Sequence, residues 1–116
     1  MNIDDFLNKL KTTPEAIEFR ETMAVIDNNY EFSPTSFMNG ALYNEAGENN
    51  GSCKLFSFAQ LHKLSEQETL ACFGAYYRDD VLKKPDADNH QNIRNFMQKG
   101  WAGIKMAGKA LSPRSH

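Results

Sequence analysis

The sequence has little of what marks secreted, membrane-embedded or nucleic-acid-binding proteins. It contains only two cysteines in 116 residues, too few for a disulfide framework and better suited to a reducing compartment. No run approaches the roughly 18 apolar residues of a membrane span, and Asp4 and Asp5 stand where a signal peptide carries Lys or Arg. The 13 basic and 15 acidic residues are interspersed and give a net charge of −2, so no basic stripe follows a phosphate backbone. We therefore expect a cytoplasmic protein that binds neither nucleic acid nor membrane.

The length of the chain limits its organisation. At 116 residues, folding buries roughly 65% of the surface that the unfolded chain exposes, which leaves room for one core. No internal repeat, low-complexity tract or linker divides the sequence. Because helical periodicity and strand-like alternation both occur, we predict one α+β domain spanning residues 1–116.

Apolar residues at helical spacing predict four helices. Phe19, Met23 and Ile26 recur at steps of four and three, which places them on one buried stripe. Ser65 and Glu68 have the spacing of a capping box, a strong signal for the start of a helix. The predicted helices span residues 2–11, 14–27, 65–82 and 89–99.

The middle of the chain is predicted to form short strands. Aromatic residues are dense between residues 30 and 61 and are separated by glycines and Pro34. Asn50-Gly51 is a hairpin-turn signal, and the residues that follow alternate along residues 52–61. A helix remains an open alternative for that segment, because Leu55 and Phe58 would then share one face. The predicted sheet uses segments near residues 30–38, 41–46, 52–61 and 101–106.

One face of the predicted 65–82 helix mixes several reactive groups. On an unbroken helix, Glu68, Cys72, Tyr76 and Asp79 project to the same side. A carboxylate in the last turn of a helix faces the negative end of the helix dipole, and locally unfavourable choices often mark function. The alternative interpretation is a solvated surface on which Arg78 and nearby lysines neutralise the carboxylates.

The start of the 89–99 helix is a second candidate. His90 and Arg94 lie one turn apart, next to backbone N–H groups that have no acceptor within the helix. Together they have the chemistry to hold a phosphate or a carboxylate. In the alternative interpretation, Asp88 caps the helix while His90 and Arg94 merely flank the core.

The thiols and imidazoles do not predict a metal site. Cys53, His62, Cys72 and His90 lack the short pairwise spacing of structural zinc ligands, so neither a metal nor another cofactor is expected. Core cysteines are the simplest interpretation. A nucleophilic pair of Cys72 with His62 or His90 stays open, because such partners meet only in the fold.

Several segments of the sequence resemble the HopJ type III effector family. They are FMNG at 37–40, NNGSCKLFSFAQL at 49–61, ETLACFGAYYR at 68–78 and HQNIRNF at 90–96. The resemblance covers nearly the whole chain and implies a bacterial protein. Through the family's name it also implies a link to type III secretion into host cells, and so an alternative location. It implies no catalytic residues.

These observations leave more than one function open. The first hypothesis is a binding or interaction module whose partner is an unidentified protein or small molecule. The second is a small-molecule-binding protein or a hydrolase-like enzyme, in which Arg78 or Arg94 fixes an anionic group and His90 or a carboxylate moves a proton. A translocated effector that acts on a host protein is the third. The second hypothesis requires one polar cleft formed by Asn39, Glu45, Tyr76, Arg78, Asp79, His90 and Arg94.

Overall fold

The prediction of an α+β fold is confirmed. The computed structural model describes residues 2–114. The α-helices are α1 (Ile3–Thr12), α2 (Phe19–Asn29), α3 (Asn50–Leu61), α4 (Glu66–Ala71) and α5 (Gln91–Lys99). The strands are β1 (Tyr30–Phe32), β2 (Phe37–Asn39), β3 (Leu42–Asn44), β4 (Ile104–Met106) and β5 (Leu111–Pro113). Pro14–Ala16 and Gly100–Gly103 form 3₁₀ turns, and Tyr76–Val81 forms a π-helical segment.

The strands form two small antiparallel sheets. One sheet pairs β1 with β5, and the other has the order β3-β2-β4. The predicted 30–38 segment is therefore two strands that belong to different sheets, and the predicted 101–106 strand begins only at Ile104. A two-residue turn joins β2 to β3, since Asn39 pairs with Leu42. Gly40 has a φ of +61° in that turn, a conformation that glycine adopts without steric cost.

Residues 52–61 form most of helix α3, so the strand prediction and the Asn50-Gly51 hairpin turn are wrong. Six residues of α3 are buried: Cys53, Leu55, Phe56, Ser57, Phe58 and Ala59. A helix whose buried residues cover most of its circumference belongs in the centre of a core. Such a helix shows no clear 3.6-residue period, and its apolar run resembles a buried strand.

Aromatic side chains of α3 hold the surrounding elements together. The Phe56 ring centroid lies 5.1 to 6.3 Å from the rings of Phe37, Phe73, Phe96 and Trp101. Edge-to-face and tilted arrangements at these distances add stability beyond the area that they bury. Strand β2, the turn after α4 and helix α5 are thereby fixed around one helix.

The predicted 65–82 helix is interrupted after its second turn. The capping box is present: the Glu68 N–H donates to Ser65 Oγ at 3.1 Å, and the Ser65 N–H donates to Glu68 Oε1 at 2.9 Å. Helix α4 nevertheless ends at Ala71, and Gly74 has a φ of +63°. A Cβ atom at Gly74 would lie 2.7 Å from the backbone nitrogen of Phe19, so a side chain there would collide with α2. The single-helix prediction is therefore wrong beyond Ala71.

The other helix boundaries also differ from those predicted. The predicted 14–27 helix is a 3₁₀ turn followed by α2, which starts afresh at Phe19. Helix α5 begins at Gln91 rather than at residue 89, because His90 has a φ of 53°. Asp88 is not its cap, since His90 occupies that position. Within residues 2–114, no helix is both long and apolar enough to span a membrane.

Candidate functional site

A cavity of about 400 Å³ opens between α2, α3, α5 and the π-helical segment. We call it the Tyr76–His90 pocket, after the two rings at one side. Its apolar walls are Phe19, Leu42, Phe73 and Ile93, and its polar lining includes Asn49, Ser52, Gln91 and Asn92. Apolar walls with a few convergent polar groups are typical of small-molecule sites.

The two ring side chains are held in place by their neighbours. The ring centroids of Tyr76 and His90 lie 5.1 Å apart with an interplanar angle of 35°, and Phe19 packs edge-on against Tyr76 at 5.2 Å. A hydrogen bond of 3.1 Å joins His90 Nε2 to Asp80 Oδ2. Asp80 therefore orients the imidazole, a role that nothing in the sequence pattern predicts.

The first turns of α3 and α5 both reach the pocket. Asn49 and His90 precede these helices in left-handed conformations, with φ of 51° and 53°. Neither side chain caps its helix, although Gly51, Ser52 and Gln91 line the cavity. Backbone N–H groups in a first turn have no acceptor within the helix, and the positive ends of helix dipoles favour anions. Two such ends meeting at one cavity make it suitable for a negative group.

A buried network of asparagine amides lies behind the pocket. Asn92 Oδ1 accepts hydrogen bonds from Asn39 Nδ2 at 3.0 Å and Asn44 Nδ2 at 3.2 Å, and Asn92 Nδ2 donates to Asn44 Oδ1 at 2.9 Å. Asn49 Nδ2 donates to the same Asn44 oxygen at 2.6 Å. The network ties β2, β3 and the start of α3 to α5, and so fixes the spacing of the two helix ends.

Sequence reasoning found Asn39 but missed the other members of this network. For Asn92 a signal was present, because it stands four residues before the buried Phe96 and therefore lies on the buried side of α5. A polar residue at such a position needs buried hydrogen-bond partners. No comparable pattern marks Asn44 or Asn49.

The structure brings Tyr76 and His90 together but places the other candidates elsewhere. Asn39 is fully buried in the amide network. Glu45 is exposed, and Asp79 forms a surface ion pair of 3.1 Å with Lys83. Neither residue lines the Tyr76–His90 pocket.

The two candidate arginines also lie outside the pocket. Arg94 stabilises the loop before α5 because it donates hydrogen bonds to the backbone oxygens of Asn89, Pro85 and Asp80. Arg78 lines a second cavity. The single cleft of seven residues is therefore replaced by one pocket that keeps two of them.

Neither cysteine has the environment of a nucleophile. Cys53 and Cys72 are 1% and 0% exposed, and burial raises the pKa of the Cys72 thiol to about 12. A reactive cysteine needs an accessible thiolate. His62 is hydrogen-bonded to the hydroxyl of Tyr30 at 2.9 Å. Within residues 2–114, no three or more His, Cys, Asp or Glu side chains cluster so that they could hold a metal ion.

Comparison with known families identifies the lineage. The model of the HopJ type III effector protein family matches residues 3–111. The chain belongs to this family. Its HopJ fold is similar to a crystal structure described as that of "unknown function protein VPA0580", with a TM-score of 0.97 and 53% sequence identity over 98% of this chain and 95% of the other. No curated protein matches the sequence significantly. The HopJ relationship thus defines a fold without naming an activity.

Proposed function

We propose that this HopJ domain is a binding protein that holds a small organic anion in the Tyr76–His90 pocket. The observation that carries the proposal is the opening of two uncapped helix starts, those of α3 and α5, onto one cavity of about 400 Å³ with aromatic walls. Typical ligand pockets measure roughly 300 to 1,000 Å³. The cavity therefore suits a compact ligand rather than a long chain.

The lining defines the chemistry of the ligand. Its negative group lies at the first turns of α3 and α5, where Gly51 and Gln91 line the cavity and helix N-termini favour an anion. A planar part packs against the wall that the contacting rings of Phe19 and Tyr76 form. His90 adds a polar ring whose orientation is set by Asp80. An aromatic carboxylate or phosphate combines these properties.

Binding without catalysis is better supported than a hydrolase-like activity. A hydrolase needs a nucleophile hydrogen-bonded to its base. Ser52 and His90 both line the pocket, yet the hydrogen bond found for the His90 ring is the one to Asp80. Both thiols are buried in the core. The pocket therefore offers recognition groups but no activated nucleophile.

The experiment is an NMR titration of ¹⁵N-labelled protein with benzoate, phenyl phosphate and, as a neutral control, benzyl alcohol. We expect the two anions to shift the amide signals of Gly51, Ser52 and Gln91 most strongly, because these N–H groups lie nearest the expected charge. Benzyl alcohol should bind more weakly. Equal shifts by the neutral probe, or shifts scattered over the surface, would contradict the proposal.

A pair of variants tests the aromatic wall. Tyr76→Ala removes the ring between Phe19 and His90 and should weaken anion binding by about 2- to 10-fold, since aromatic contacts contribute roughly 0.5 to 1.5 kcal/mol. Tyr43→Ala removes an exposed tyrosine that does not line the pocket and should leave the affinity unchanged. Identical losses in both variants would argue against this site.

The location of the protein is tested separately. We infer a cytoplasmic role, supported by the burial of Phe6 and Leu10, which binds helix α1 to the core. The family description, type III effector, favours export instead. A reporter fused to residues 1–30 and expressed in a secretion-competent bacterium decides between them, because appearance of the reporter outside the cell would reject the cytoplasmic role.

A further inference from the structure

A second cavity, of about 370 Å³, lies beside α1, the Pro14–Ala16 turn, α4 and the π-helical segment. We call it the Arg78 pocket. Its walls are largely apolar and come from Leu10, Pro14, Ala71 and Tyr77. It shares no lining residue with the Tyr76–His90 pocket. A ligand in one pocket therefore leaves the other open.

The guanidinium of Arg78 is incompletely satisfied. Its Nη1 atom is buried and finds no hydrogen-bond acceptor among residues 2–114. The other arginines differ, because Arg20 pairs with Glu18, Arg94 donates to backbone oxygens and Arg114 donates to the Asp27 carbonyl. A buried donor without an acceptor is unfavourable and uncommon in folded proteins. Arg78 thus lines a cavity with apolar walls, and one of its donors is enclosed by protein without an acceptor.

The charged residues around the pocket restrict which ligand can accept a hydrogen bond from Arg78. Lys11 adds a second positive charge at the pocket, while Glu15 and Glu68 supply two negative ones. The Glu68 carboxylate already accepts the Ser65 N–H. These carboxylates disfavour a doubly charged phosphate, whereas a singly charged carboxylate matches the planar fork of a guanidinium.

We propose that the Arg78 pocket binds an aliphatic monocarboxylic acid, with its carboxylate on the Arg78 guanidinium and its tail against Leu10, Pro14 and Tyr77. Arg78, a lining residue, supplies the recognition of the head group, and a rotation of its side chain turns the unsatisfied Nη1 donor toward the carboxylate. The apolar walls supply the recognition of the tail, because burying methylene groups is favourable. The site is separate from the Tyr76–His90 pocket and does not depend on a ligand there.

The probe is octanoate, titrated into ¹⁵N-labelled full-length protein. Acetate tests the head group without the tail, and 1-octanol tests the tail without the charge. We expect octanoate to bind at least about tenfold more tightly than either and to shift the amide signals of Ala71, Tyr77 and Arg78. Equal binding of octanol, no binding of octanoate, or shifts centred on Gly51 and His90 would overturn the proposal.

Matched arginine variants test the role of the charge. Arg78→Met keeps an unbranched apolar stem and should reduce octanoate affinity about tenfold, without a matching change for octanol. Arg20→Met removes the same charge at a side chain that is 85% exposed and should have no effect. If Arg78→Met does not fold, Arg78→Lys, which lacks the planar fork, must bind octanoate more weakly than the wild type. Unchanged octanoate affinity in the folded Arg78 variant would refute the site.

Discussion

Replacing Asn92 by alanine is the most direct test of the amide network behind the pocket. The substitution removes one acceptor and one donor from a side chain that is 7% exposed. Asn39 Nδ2 keeps the backbone oxygen of residue 92 as an acceptor at 2.7 Å. Asn44 Oδ1 keeps the Asn49 donor at 2.6 Å. Asn44 Nδ2, however, is left only with the Leu42 carbonyl, at the limiting distance of 3.5 Å.

The expected loss of stability follows from the hydrogen bonds that are lost and kept. Leaving the buried Asn44 Nδ2 donor without a good acceptor costs about 1 to 3 kcal/mol. The other two lost hydrogen bonds, from Asn39 Nδ2 and to Asn44 Oδ1, contribute about 1 kcal/mol each. Alanine returns up to about 0.7 kcal/mol through its higher helix propensity. We therefore expect the Asn92→Ala variant to lose about 2 to 4 kcal/mol of unfolding free energy. For a domain of this size, that corresponds to a fall in Tm of roughly 8 to 16 °C.

Urea unfolding followed by circular dichroism measures this loss, and Asn95→Ala provides the control. Asn95 lies on the same helix, and within residues 2–114 its amide donates only to the Gln91 carbonyl, near the surface. Its replacement should change the unfolding free energy by less than about 0.5 kcal/mol. If Asn92→Ala costs less than about 1 kcal/mol, or no more than the control, the network does not stabilise the fold as argued.

Two further predictions concern titratable groups. Burial lowers the pKa of His62 from 6.5, and the negative charge of Asp4 partly opposes this shift. As the pH falls, the unfolded chain therefore binds the proton before the folded protein does. The stability that is present above pH 6.5 is lost as the pH falls through the folded-state pKa. Thermal melts between pH 7.5 and 5 should show a smaller loss for His62→Gln than for the wild type, and parallel curves would disprove the assignment. Because burial raises the pKa of Cys72 to about 12, iodoacetamide at pH 8 should modify the native thiol only after guanidinium unfolding, as followed by mass spectrometry. Alkylation of native Cys72 at the rate of the unfolded chain would restore the nucleophile hypothesis.

The sequence predicted those elements that local chemistry determines. Helix α1 and the Ser65 capping box depend on residues within four positions of one another, and both are present. The α3 segment has buried residues around most of its circumference, including the consecutive run from Leu55 to Ala59, and this obscured the period that identifies a helix. At the break, Gly74 lies so close to the Phe19 backbone that a Cβ atom would collide with it. An isolated glycine in a helical pattern does not reveal such a contact.

The candidate site also combines residues that local sequence could predict with contacts that it could not. Tyr76 and His90 were predicted from their residue types, and the structure places their rings together; whether they bind a ligand stays a prediction. Arg94 was one candidate for holding an anion, and in the structure the carbonyls of the preceding loop take its donors. Those partners depend on the path of an irregular loop. No spacing rule encodes that path.

The π-helical segment Tyr76–Val81 contributes residues to both cavities. Tyr76 belongs to one pocket, while Tyr77 and Arg78 belong to the other, so a few consecutive residues form part of both walls. A ligand that displaced this segment from one side would alter the shape of the site on the other. Thermodynamic linkage makes such an effect reciprocal: each ligand then changes the affinity of the other by the same factor. In this fold, two cavities with no lining residue in common therefore share one short segment of backbone.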